Sequence, residues 1–126
     1  PMDDAEKSVK NYIEKAAPAL VELGLSDPRK NTDLTFHSSP ETAVQNAGFI
    51  QENVPERIEI KHEIYAKIEP HLKRDAIVAS SASGLLVKEM QDGWKDPSRF
   101  ILGHPFNPPH LIPLVELLGN DKTADQ

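Results

Sequence analysis

Cysteine is absent from the 126 residues, which rules out a disulfide framework and thiolate chemistry and suits a cytosolic, cytoplasmic protein. No apolar run approaches the roughly 18 residues that a membrane-spanning helix needs, and the opening PMDDAEK has no signal-peptide pattern. Basic residues are outnumbered, 14 Lys and Arg against 20 Asp and Glu, and only 6% of the chain is aromatic. With no basic block, nucleic acid is not expected as the main partner. Internal repeats, low-complexity segments and a G-x-S-x-G nucleophile elbow are also missing. The length suits one domain with a real core and is too short for two. Pro1 before Met2 reads as a processed or cut end, and so does the polar GNDKTADQ at the other end.

What is present is concentrated in Gly103 to Glu116, GHPFNPPHLIPLVE, with two histidines, an asparagine, four prolines and a glutamate. Proline fixes φ and removes a backbone donor, so HPFNPPH cannot be a helix or a central strand. It reads as a stiff loop between two apolar runs, 100–102 and 111–118. Such a loop at a strand end is a common seat for catalytic groups. A proline-rich segment read by a partner's aromatic groove is the alternative, and it would make the chain an interaction module.

Earlier in the chain, Val9, Tyr12, Ile13, Ala16, Ala17, Leu20 and Leu23 recur at helical spacing, with a kink or restart expected at Pro18 and a stop at Gly24. SDPRKNTD reads as a turn-rich connection and 34–38 as β-compatible. Ser39-Pro40-Glu41 starts a short helix ending near Gly48. Phe49–Gln51 reads as a strand ending in Glu52. A helix is expected from Pro55-Glu56 to Pro70, then a strand over 76–79, a serine cluster, a helix over 85–90, a strand over 100–102, the proline loop and a strand over 114–118. This alternation predicts an α/β fold, a mostly parallel sheet flanked by helices. Ligands of such sheets bind beyond the carboxyl ends of the strands. Glu52, the serine cluster and His104 all fall there.

His104 and Glu116 are twelve residues apart on two probable neighbours. A carboxylate beside an imidazole fixes its tautomer and favours the imidazolium, which makes a general base. A purely structural His–Glu hydrogen bond remains open. Ser83, beside Gly84, could offer its hydroxyl to a substrate oxygen or simply cap a helix. Asn107 could anchor a ligand or only its turn. His37, His62, His71 and His110 lack the paired spacing of metal sites, and His62 and His71 read as solvated.

Three blocks, ENVPERIEIK at 52–61, ASSASGLL at 79–86 and GHPFNPPHLIPLVE, together resemble the NAD-binding domain of the 3-hydroxyacyl-CoA dehydrogenase family, in that family's order and spacing. FIQENVPER and SSASGLL resemble the branch with L-carnitine dehydrogenase, gulonate dehydrogenase and lambda-crystallin. The resemblance implies the later part of a Rossmann-like domain, NAD as cofactor, and a small hydroxy acid or an acyl-CoA ester as substrate. It makes His104 the catalytic base, Glu116 its orienting partner, Ser83 a contact to substrate oxygen and nicotinamide, and Asn107 a nicotinamide-side residue. Glu56 and Lys61 match positions near the ribose and bound substrate; Glu52, four positions earlier, is not matched.

The family's opening G-x-G-x-x-G turn is not found, since the six glycines never take that spacing, and its helical domain, which forms the homodimer, is not matched either. Residues 1–126 therefore read as a partial NAD-binding domain, inactive by itself. A non-catalytic, crystallin-like or regulatory relative is the other reading.

Overall fold

The computed structural model describes residues 2–30 and 33–124. Pro1, Asn31 and Thr32 of the turn-rich connection, and the last two residues of GNDKTADQ lie outside that set. Helix α1 spans Met2–Glu22, α2 Pro40–Val44, α3 Ile58–Ile68 and α4 Val87–Gln91, and the strands are β1 Phe49–Glu52, β2 Ile77–Ser80, β3 Phe100–Pro105 and β4 Val115–Leu118. Short 3-10 turns at Glu69–His71 and Pro97–Arg99 complete the set. The sheet order is β1-β2-β3-β4, parallel across the first three strands and antiparallel between β3 and β4. The mostly parallel α/β architecture is therefore present.

Register decides which side chains share a face. Ile50, Val78 and Phe100 stand in one row, and Glu52, Ser80, Leu102 and Leu118 in the next. That face meets Val44, Tyr65, Ile68, Val87, Met90 and Trp94 from the helical side and forms the core. Tyr65 stacks on Trp94 at 4.7 Å between ring centroids and meets Phe100 edge-on at 5.3 Å. On the other face Ala79 and Gly103 are buried, whereas Phe49 and Leu117 are exposed.

Four local expectations change. Helix α1 continues through Pro18 without a restart, because a proline removes only one hydrogen bond of the ladder. It closes at Gly24, whose φ of 79° accompanies a bond from the Leu25 N–H to the Leu20 carbonyl at 3.0 Å. Residues 34–38 stay irregular rather than forming a strand. Helix α3 starts at Ile58 and not at Pro55-Glu56, because the backbone is still extended at Arg57, φ −133° and ψ 121°, which serves as the N-cap.

His104 and Pro105, expected in the loop, belong to β3. The Phe106 N–H bonds the Leu114 carbonyl at 3.0 Å, so in the antiparallel ladder the nitrogen of residue 105 points the other way. On that side the β2–β3 pairing has already ended at Ser80 and Leu102. Proline is accommodated there because no ladder bond is lost.

Candidate active site at the strand ends

Three parallel strands end side by side, and the polar groups gather beyond them. His104 lies directly opposite Glu116 in the β3–β4 register. Opposed residues of an antiparallel pair project to the same face with Cβ atoms about 5 Å apart, so the two side chains leave the sheet side by side, although no hydrogen bond or ion pair joins the imidazole to the carboxylate among the described residues. His104 is half-buried and Glu116 exposed, and the ring of His104 sits 6.0 Å from that of Phe106. The twelve-residue separation in sequence thus closes into a facing pair.

Ser83 lies on the turn between β2 and α4, at the same end of the sheet as His104, and is exposed. Its capping alternative does not hold, because the N-cap of α4 is Leu86, three residues later. The backbone of this turn is fixed from outside: the Glu56 carboxylate accepts from Ser83 N–H at 2.8 Å and Gly84 N–H at 2.7 Å. The bond from Gly84 is the largest cause holding Glu56 below the usual glutamate range; desolvation opposes it, and the Ser83 bond and the Lys61 charge add smaller contributions in the same direction as Gly84. Asn107 is exposed at the tip of the loop, next to the cis Asn107–Pro108 bond.

Lys61 has a different setting from the one its matched position implies. Its ammonium is 1% exposed and reaches both Glu52 oxygens at 2.8 Å, so it is spent inside the protein rather than offered to a ligand. Glu52 also accepts from Tyr65 OH at 2.9 Å, Ser80 Oγ at 2.7 Å and Val54 N–H at 2.6 Å. Burial, and then the Glu52 charge, push the Tyr65 phenol up. The signal for Glu52 was the acid that ends the apolar β1 run. Its link to Lys61, nine residues on, needed the helix to fold back over the strand.

A second set of residues, not singled out by sequence, ties the strand ends on the opposite face. Gln51 Nε2 donates to Ser81 Oγ at 2.7 Å and the Gly103 carbonyl at 2.8 Å, and Ser81 Oγ donates to Asn53 Oδ1 at 2.7 Å. The other histidines do not join the site through His104. His62, expected in solvent, is half-buried with Nε2 2.8 Å from the Glu89 carbonyl, and His110 Nδ1 lies 3.3 Å from Tyr12 OH on α1. Among the described residues no group of three or more His, Asp or Glu could hold a metal ion, and no helix is long and apolar enough to cross a membrane.

The residues present suit one end of a dinucleotide. An exposed carboxylate whose oxygens are only partly used (Glu56) and an exposed hydroxyl (Ser83) lie beside each other at the strand ends, and an exposed amide (Asn107) stands on the loop after β3, donors and acceptors of the kind a nicotinamide riboside takes. A phosphate-cradling glycine turn is not among these 126 residues.

Comparison with known proteins points the same way. The family model for the 3-hydroxyacyl-CoA dehydrogenase NAD-binding domain matches residues 2–126. An L-carnitine dehydrogenase of a Pseudomonas species is 44% identical over 126 residues, all of this chain and 39% of that protein. The enzyme of the same name from Streptomyces coelicolor is 41% identical over 124 residues, 98% of this chain and 39% of its own length. Among solved structures, a 5-formyl-3-hydroxy-2-methylpyridine 4-carboxylic acid 5-dehydrogenase, an NAD+-dependent dismutase, superposes with a TM-score of 0.84 at 34% identity, covering 96% of this chain and 40% of that one. The dehydrogenase part of multifunctional enzyme 1 from C. elegans gives 0.74 at 29% identity, with 96% and 27% covered.

Proposed function

The chain belongs to the 3-hydroxyacyl-CoA dehydrogenase family, as its NAD-binding domain, and on that footing we propose that the protein carrying it oxidises the 3-hydroxyl of a small 3-hydroxy acid such as L-carnitine, or of a 3-hydroxyacyl-CoA. NAD is the family's cofactor and, when bound, supplies the hydride acceptor. The observation that carries the reading is the opposition of His104 and Glu116 at the carboxyl end of the sheet. His104 takes the hydroxyl proton as general base, and Glu116 orients the ring and favours the imidazolium that results. Ser83 holds the substrate oxygen from the neighbouring turn, and Asn107 and Glu56 bind on the cofactor side.

The small hydroxy acid is favoured over the thioester by the relatives named L-carnitine dehydrogenase, 41% and 44% identical. The chain spans 39% of their length. Residues 1–126 are therefore assigned one part of a dinucleotide-binding unit, with the pyrophosphate turn and the rest of the substrate pocket supplied elsewhere in the protein. On this reading the isolated chain is inactive, and the whole protein works as a cytoplasmic homodimer on a small molecule.

The test is NAD reduction by the full-length protein against L-carnitine, other 3-hydroxy acids and 3-hydroxyacyl-CoA esters. L-carnitine oxidation that disappears in His104→Ala supports the reading. Turnover of the thioesters alone would move the substrate assignment to the acyl-CoA class. A wild-type protein that oxidises none of them would instead be a non-catalytic relative.

A further inference from the structure

A buried ion pair is a poor way to stabilise a core, because desolvating two charges cancels much of their attraction and apolar side chains of similar volume do as well or better. The pair of Glu52 and Lys61 nevertheless lies under the strand ends, with side chains only 2% and 1% exposed. Its partners explain the arrangement. Nearly every bond it makes ends on, or next to, a connecting segment. Glu52 Oε1 takes the Val54 N–H at 2.6 Å, and Lys61 Nζ reaches the Val54 carbonyl at 3.3 Å. Ser80 Oγ donates to Glu52 at 2.7 Å and accepts from the Ala82 N–H at 3.3 Å. A backbone bond from Ser81 N–H to the Glu52 carbonyl, 3.0 Å, joins the same two segments.

The first segment carries Glu56 and the second carries Ser83. We propose that Glu52, clamped by Lys61, Tyr65 and Ser80, is the positioning residue of the active site: it sets residues 53–57 against residues 81–84 so that the Glu56 carboxylate grips the Ser83 and Gly84 amides and holds the Ser83 hydroxyl in place. Lys61 serves this clamp through its bonds to Glu52, Val54 and Ser80. The inference rests on the role proposed for Ser83 and adds to it a residue that the family resemblance does not match.

The test uses the full-length protein and four variants: Glu52→Gln, Lys61→Met, the double variant Glu52→Gln/Lys61→Met, and Val44→Ala as a core lesion on α2 that leaves the clamp's polar groups intact. Each single clamp variant strands a buried partner and is expected to lose thermal stability. The double variant removes both charges and is expected to recover most of it. Even so, its kcat is expected to stay about tenfold to a hundredfold down, as misplacement of a substrate-positioning group costs, with KM for NAD changed much less. In the cofactor-free protein, amide hydrogen exchange over residues 81–84 is expected to speed up in the double variant and to stay at the wild-type rate in Val44→Ala.

Wild-type kcat in the double variant overturns the proposal, whatever the exchange rates do. So does unchanged exchange over 81–84. Should the wild-type protein oxidise no 3-hydroxy substrate, the proposed reaction fails, while the exchange measurement still tests whether Glu52 sets the turn.

Discussion

At the residue scale, His104 and Glu116 differ in what their removal should cost. An imidazole acting as general base contributes about 10²–10⁴ in rate, so His104→Ala in the full-length protein is expected to lower kcat by that factor. Glu116→Gln keeps the shape of the partner and loses its charge. A smaller loss is expected, with NAD affinity by calorimetry unchanged in both. Equal activity of His104→Ala and wild type would remove the base from the scheme. Glu56 makes a prediction in pH instead. Its carboxylate is held below the ordinary value of 4.5, chiefly by the Gly84 N–H. A depressed carboxylate pKa contributes stability that is fully present above the unfolded value and is lost as pH falls through the folded one. The stability gap between wild type and Glu56→Gln, from urea unfolding, should therefore be constant near neutrality and shrink below about pH 4.5. A gap that widens on acidification would contradict the assignment of the Ser83 and Gly84 bonds.

At the scale of elements, the sheet depends on close contacts that a small side chain permits. A Cβ on Gly103 of β3 would stand 2.9 Å from the Cβ of Ala79 on β2, with Gln51 and Leu117 also within 4 Å. Gly103→Ala must push β2 and β3 apart beside His104, and such overpacking costs roughly 1–3 kcal/mol. A lower Tm with reduced kcat is expected, whereas a variant as stable as wild type would mean the strands can spread freely. Helix α2 depends on its cap: Ser39 Oγ accepts the Thr42 N–H at 3.3 Å, ahead of Pro40 and Glu41. Ser39→Ala is expected to cost about 1 kcal/mol in chemical denaturation, with no effect on turnover.

The whole molecule returns to the question of extent. The chain spans 39% of curated L-carnitine dehydrogenases, and its glycines do not supply a pyrophosphate turn. Calorimetry on residues 1–126 and on the full-length protein is expected to show NAD binding by the longer protein alone. Tight binding by residues 1–126 would mean that the groups at the strand ends, Glu56, Ser83 and Asn107, suffice to hold the dinucleotide.

Much of this was legible in the residues. Strand positions followed from short apolar runs bounded by turn signals, and parallel pairing followed from their alternation with helices, because local propensity and pattern act over a few neighbours. The Ser39 cap and the Gly24 stop are equally local. The proximity of His104 and Glu116 followed from two runs joined by a tight proline loop, which leaves the second strand little choice but to return beside the first.

Other features needed the chain to be folded. That Pro105 could sit inside β3 depended on where β2 stops. That α3 begins at Ile58 depended on the extended backbone of Arg57, which no local signal in 55–57 gives. Above all, the sequence by itself placed Glu52 among the ligand-binding strand ends and Lys61 nine residues on along a helix, with nothing to join them. Only the tertiary structure turned them into a buried pair, because burial is a property of what packs above a residue. Here α3 lies over the strand ends and takes both charges out of water.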